Sequence, residues 1–270
     1  MPVARVLLYT ATIGALALIA RSIFIGPISI AVSAMALVVY LGLVMCGVLF
    51  MRLGMFADVT WRGPAGAEGV ALTFDDGPSP EHTPRVLDML DEARVKATFF
   101  VIGKKADAHP DLVRAIVDRG HAVGVHSYTH DRLFSLRTPR FVREDLARAV
   151  RTIERITGER PTMFRPPIGH TNPRIAREAA RLDLDLVGWS IRGLDGLAGA
   201  RADRVADRVI RRLGDGAIVL LHDAAERDDH EPASIAALPR ILSAMRERGL
   251  AGVRVDRWVR AGEVEAETEG

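Results

Sequence analysis

Cysteine is almost absent: Cys46 is the only one in 270 residues, so no intramolecular disulfide can hold this chain together. Asp, Glu, Lys and Arg are missing altogether from residues 6–20 and 22–51. The second stretch, 30 residues long, exceeds the roughly 20 that a helix needs to cross a bilayer, so membrane insertion is expected. The first is marginal and reaches further only if Arg5 snorkels to the interface. The expected arrangement is a pair of transmembrane helices, about residues 4–20 and 28–51, turning near Gly26 and Pro27. A cleaved signal peptide is the alternative for the first stretch, but only a weak A-x-A-like site follows it and the second stretch would remain as an anchor.

A basic patch is lacking as well. Four Arg against one Asp put +3 in residues 1–65 and leave −1 for residues 66–270, which excludes an electrostatic footprint for nucleic acid. Arg5, Arg52 and Arg62 lie on one side of a two-helix hairpin and Arg21 on the other, so the positive-inside bias favours both termini in the cytoplasm by a few charges. There is no internal repeat, and the acidic run at 263–270 reads as a disordered end. The expected organisation is an anchor over 1–56, a linker over 57–68, a catalytic domain over 69–257 and a tail over 258–270.

From Gly69 onward, short apolar or β-branched runs alternate with helical periodicity. Strands are expected at 70–74, 97–102, 122–126, 162–165, 184–190, 217–222 and 252–256. Helices are expected at 84–92, 111–119, 139–157, 173–181, 201–213 and 234–248, several opening with a proline suited to a first turn. Such alternation implies parallel strands with helices outside, as a barrel or a doubly wound sheet. The charged run around Arg143, Glu144, Asp145, Arg148, Arg151, Glu154 and Arg155 reads as a solvated, salt-bridged helix face.

Polar groups cluster where these strands end, which is where parallel barrels place their active sites. The first strand ends in Asp75-Asp76-Gly77-Pro78, and adjacent residues leaving a strand point in different directions. One carboxylate can therefore bind a metal while the other faces water or substrate. The third strand ends in His126 and His130, whose i, i+4 spacing on a helical turn brings two imidazoles within reach of one ion. With Asp76 they offer two nitrogens and an oxygen, a donor set suited to catalytic zinc. The fourth strand leads into Phe164-Arg165-Pro166-Pro167-Ile168, and the sixth into Leu220-Leu221-His222-Asp223, which delivers a histidine in a general-acid position.

These blocks, in this order, resemble the polysaccharide deacetylases of carbohydrate esterase family 4, the NodB homology domain, over about residues 66–257. The resemblance implies a deformed (β/α)7 barrel, and the pair of transmembrane helices read before it from the apolar runs places the chain in a bacterial-type cell membrane. It implies one divalent ion, Zn2+ by preference, held by Asp76, His126 and His130, with Asp75 as catalytic base and His222 as catalytic acid. Arg165 would orient the base, Asp195 would tune the acid or the arginine, Leu220 would wall the acetyl pocket, and the Ile168 backbone N–H would face the oxyanion. The implied partners are an acetylated glycan and the lipid bilayer, and the implied reaction is removal of N-acetyl groups from N-acetylhexosamine units.

Two departures bear on substrate. Ile168 stands where the family often has Tyr, and Gly196 follows Asp195 where Trp is usual, which removes stacking surface for a sugar ring and argues against a crystalline polymer. His170 is either a further substrate contact or an ordinary loop histidine. The same chemistry would serve an O-acetyl carbohydrate esterase. A catalytically silent glycan-binding membrane protein is disfavoured because the base, three ligands and acid are all retained.

Overall fold

The computed structural model describes residues 1–259, so the acidic run at 263–270 lies outside the described residues. Two apolar helices open the chain, α1 (Val3–Phe24) and α2 (Ile30–Leu49), the latter capped at its N-terminus by the Ser29 side chain, which accepts from the Val32 N–H. Both are long and apolar enough to cross a membrane, and only Gly47 is buried in either. The eight strands are β1 (Val59–Thr60), β2 (Val70–Asp75), β3 (Thr98–Val101), β4 (Ala122–Val125), β5 (Met163–Phe164), β6 (Asp185–Val187), β7 (Ile191–Arg192) and β8 (Ala217–His222). Outside them lie α3 (Thr83–Ala93), α4 (Gly103–Ala108), α5 (Pro110–Asp118), α6 (Pro139–Thr157), α7 (Pro173–Ala180), α8 (Ala202–Ile210) and α9 (Ala233–Glu247).

All pairings between these strands are parallel, in the order β1-β6-β5-β4-β3-β2-β8-β7. Because β6 and β7 lie near opposite edges yet are joined by residues 188–190 alone, that short connection draws the sheet round on itself. The strand period of two divides the core. Val70, Leu72 and Phe74 of β2, with Val219 and Leu221 of β8, pack outward under the helices. Ala71 and Ile218 point inward, where Phe100, Met163, Val187, Val255 and Trp258 join them. Continuing the same alternation carries Thr73 and Asp75 to the inner face of β2, and Leu220 and His222 to that of β8.

Several expected boundaries move. The 252–256 run does not form a strand: it makes one bridge, Gly252 to Val70, and the Val255 N–H donates to the Thr98 hydroxyl. Val255 and Trp258 are instead drawn into the inner apolar cluster. The 184–190 strand shortens to β6, which pairs with β5, and a separate short strand beyond its expected end, β7, pairs with β8. Residues 57–68, expected as plain linker, contribute β1, which pairs with β6.

His121 sets a pH limit on this fold. Its Nδ1 accepts from the Ala97 N–H at 3.1 Å, so the ring is neutral. Burial, then the Lys96 charge, lowers its pKa from 6.5 to about 4. The unfolded chain therefore binds a proton between those values that the folded one refuses, and stability is complete above 6.5 and lost as pH falls toward 4. In a pH series of thermal denaturation, His121→Asn, which keeps an acceptor but cannot charge, is expected to lack on the order of 2 kcal/mol of that acid-side loss. Parallel curves for variant and parent would refute the assignment.

Candidate active site

The mouth of the barrel is built on strained backbone. Asp76, Ser127, His130, Ile168 and Leu194, all following strand ends, have φ between 51° and 71°, the left-handed region that non-glycine residues enter at a cost of about 1–3 kcal/mol each. The sharp change at Asp76 turns its carboxylate away from that of Asp75. Register places Asp75 directly beside His222.

Asp76, His126 and His130 meet there, buried, with ligand atoms all within 4.8 Å of one another. Asp76 Oδ1 lies 3.4 Å from His126 Nε2 and 3.1 Å from His130 Nε2, and has no hydrogen-bond partner in the protein. The Nδ1 of His126 is 2.7 Å from the Arg165 carbonyl oxygen, to which it donates, leaving Nε2 with its lone pair toward Asp76. A buried, unpartnered carboxylate oxygen between two imidazole nitrogens fits a divalent cation. Burial would raise the Asp76 pKa, but the imidazoles of His126, His130 and His222 hold it well below the usual carboxylate range.

Arg165 is fully buried beneath this cluster. Its guanidinium donates to Asp75 Oδ1 at 2.7 Å, to the Thr73 hydroxyl at 2.8 Å and to the Gly188 carbonyl at 2.9 Å, and stacks 4.2 Å over the Phe100 ring. Opposite, Asp195 accepts from the His222 backbone N–H at 2.8 Å while its other oxygen is 3.2 Å from His222 Nδ1. Burial opposes a charge on His222, but Asp195, then Asp76 and Asp75, raise its pKa to about 9. Gly196 sits against the His222 ring, and a Cβ there would come within 3.0 Å of it, so a tryptophan after Asp195 would require the ring to give way by a few tenths of an ångström.

A cavity of about 450 Å³ opens over these groups, lined also by Ile168, Trp189 and Leu220. Trp189 restores an aromatic wall that the loss of Tyr and Trp elsewhere led us not to expect. His170 is not among the lining residues.

The polysaccharide deacetylase family profile matches residues 62–187. A peptidoglycan-N-acetylglucosamine deacetylase of Bacillus cereus is 33% identical over 189 residues, covering 70% of this chain and 67% of that protein. A chitooligosaccharide deacetylase of Sinorhizobium fredii is 37% identical, covering 70% and 90%.

The chain belongs to the polysaccharide deacetylase family.

Its fold agrees with solved members. A crystal structure of a peptidoglycan N-acetylglucosamine deacetylase superposes with a TM-score of 0.69 at 31% identity, covering 73% of this chain and 91% of that one. A pseudoenzyme of the same esterase family from Bacillus anthracis also superposes, with a TM-score of 0.66 at 27% identity over 73% and 67% of the two chains. Fold therefore does not separate active from silent polysaccharide deacetylases, and activity depends on the side chains at the site.

Two polar residues were missed in the sequence. Asp145, expected on a solvated face, is buried: its carboxylate accepts from the Tyr128 N–H at 2.7 Å and from the Thr129 N–H and hydroxyl at 3.1 and 2.7 Å, fixing the turn between the two histidines. It shares the helical stripe of Val142, Leu146 and Ala149, and that spacing was the available signal. Glu226 approaches His130 Nδ1 at 3.5 Å from the loop after β8, and nothing local marks it. Asp145→Ala strands two backbone donors and is expected to cost on the order of 2–4 kcal/mol in denaturant unfolding. It should also weaken metal affinity about 10–100-fold in competition titrations. Unchanged affinity would show that the turn holds without it.

Proposed function

We propose that the chain is a membrane-held N-deacetylase acting on N-acetylhexosamine units of a glycan. The observation that carries this reading is the pairing of Asp75 with His222 at one register, on either side of the Asp76, His126 and His130 cluster. Asp75 is held by the Arg165 guanidinium and His222 by the Asp195 carboxylate, so each is oriented by a partner as a base and an acid working on one bond require.

A divalent cation held by Asp76, His126 and His130, for which Zn2+ suits the two nitrogens and one oxygen, would supply Lewis-acid polarisation of the acyl carbonyl. Asp75, with one oxygen fixed by Arg165, uses the other to take a proton from the attacking water. The fixed oxygen prevents the carboxylate from rotating away. His222, its pKa raised to about 9, carries a proton at neutral pH and donates it to the departing amine, which otherwise leaves poorly. Asp195 holds the imidazole by Nδ1 and so presents Nε2 to the substrate. The Ile168 backbone N–H serves as oxyanion donor in this scheme, and Leu220 and Trp189 exclude water around the acetyl methyl. The α1–α2 hairpin anchors the enzyme in the membrane, since two adjacent apolar helices without buried faces are better accommodated by lipid than by water.

Retention of a high-pKa acid beside the leaving group favours the amide over an O-acetyl ester, whose alkoxide needs less protonation. His222→Ala is therefore expected to slow acetate release from N-acetyl substrates about 10²–10⁴-fold. Release from O-acetylated glycans should fall much less; equal losses on both would remove the argument for N-deacetylation. Activity is expected to fall on the alkaline side as His222 loses its proton, and the limb should move to lower pH in Asp195→Asn, which no longer stabilises the imidazolium. A limb that stays in place would free His222 from that role. Asp75→Asn should keep bound metal while losing turnover, whereas His126→Ala should lose both. An active Asp75→Asn would disprove the base.

A further inference from the structure

Most apolar surface beyond the hairpin is hidden, and the exceptions are not scattered. Apart from Trp61, every large apolar residue that is exposed after Phe50 among the described residues lies in a loop at the mouth: Leu133, Leu136, Ile168, Leu194 and Leu197. Leu136 and Leu197 are 70% and 69% exposed, and Ile168, Leu194 and Leu197 line the cavity itself. An apolar rim around a polar site marks an interaction surface rather than chance exposure.

The hairpin meets the catalytic domain at the same place. The Thr171 N–H, three residues beyond Ile168, donates to the Val48 carbonyl at the end of α2. Arg5, at the start of α1, donates to the Gly54 carbonyl at 3.0 Å and to Asp58 at 2.8 Å, and Met51 and Met55 are buried in the junction. Gly47 allows Met55 and Phe56 to close against α2, where a Cβ would collide with both. The domain-proximal ends of both helices, and so the edge of the bilayer, therefore adjoin the loop that carries Ile168.

Two cations complete the rim. Arg192 and Arg227 line the cavity, and neither makes a salt bridge or a side-chain hydrogen bond within the described residues. The acidic groups beside them are already engaged, Glu226 with Arg132 and Asp229 with His230. Arg192 lies 5.9 Å from the centre of the Trp189 ring, a contact that gives its N–H donors no acceptor, and a guanidinium whose donors are unengaged at a substrate cavity is suited to a phosphate, which it can meet with two parallel N–H donors.

We infer that the cavity opens onto the bilayer surface and takes an N-acetylated sugar carried on a lipid phosphate, with the phosphate at Arg192 and Arg227 and the leucine rim seated in the interface. The inference rests on the deacetylase reading and on the membrane placement of the hairpin. It commits to lipid as the source of both the apolar and the anionic contact, because the rim is continuous with the hairpin.

The test uses the full-length protein, with its metal, reconstituted in phosphatidylcholine vesicles, and compares kcat/KM for acetate release from three substrates. These are neutral N-acetylglucosamine oligomers, water-soluble N-acetylglucosaminyl phosphate, and the same sugar phosphate on a polyprenyl chain. The lipid-borne substrate is expected to lead the soluble phosphate by tenfold or more, and Arg192→Gln with Arg227→Gln should cut the ratio of lipid phosphate to neutral substrate about tenfold. A fluorophore at Leu197→Cys, in a Cys46→Ser background, should be quenched by brominated lipid. Equal rates for soluble and lipid-borne phosphate, a preference that survives the double substitution, or an unquenched label would overturn the inference while acetate release from neutral oligomers leaves the deacetylase reading standing. Absence of acetate from all three substrates would remove both.

Discussion

A guanidinium with no exposed surface lies in the interior of the barrel, and the arrangement above it depends on how its charge is satisfied. An unpaired buried charge would cost many kcal/mol, so Arg165 must find acceptors on several strands at once. It finds Asp75 and Thr73 on β2 and the carbonyls of Val187 and Gly188 at the end of β6, with Phe100 of β3 beneath. Those contacts tie strands from different parts of the ring to one point. Its own backbone carbonyl accepts from His126 Nδ1, so the residue that positions the proposed base also sets the tautomer of a candidate ligand. Below Arg165 the interior is apolar and closed by Trp258; above it the interior is polar and open. Truncating either partner of the Arg165–Asp75 pair, unlike Asp75→Asn, which leaves Arg165 an acceptor, should therefore disturb folding as well as chemistry, in contrast to a change at His222, which is half-buried and held mainly by Asp195.

The strained residues at the mouth fit the same division of labour. The strands follow ordinary alternation until they end, and left-handed backbone begins at Asp76 and recurs at Ser127, His130, Ile168 and Leu194. Regular geometry would leave each following side chain on the wrong face. Packed helices beneath, and hydrogen bonds such as those of Asp145 to residues 128–129, hold the loops in conformations that they would not adopt alone.

Much of this was legible in the sequence because the informative residues occupy strand ends. Apolar runs at 70–74, 122–126 and 217–222 locate β2, β4 and β8 closely, and the polar residues that terminate them converge in space. Asp75, Asp76, His126, His130, Arg165, Asp195 and His222 are all brought to one end of the barrel. What escaped was set by tertiary context. The apolar residues at 252–256 look like another strand, but Val255 and Trp258 fill the barrel floor instead. Asp145 looks like one more charge on an Arg-rich helix until its three acceptor contacts are seen, and Glu226 reaches His130 from nearly a hundred residues away. The placement of Trp189 and of the leucine rim around one cavity likewise depends on loops whose sequence carries no period.

Acetate release by the full-length protein measures hydrolysis of a sugar amide by a metal-loaded Asp-His-His site without intermediary steps. N-acetylglucosamine oligomers and an O-acetylated glycan would be compared side by side, with added Zn2+ and with chelator. Chelator-sensitive release from the N-acetyl substrate is expected of hydrolysis at that site. Release only from the O-acetylated glycan, or release from the N-acetyl substrate that persists after complete metal removal, would refute metal-dependent N-deacetylation.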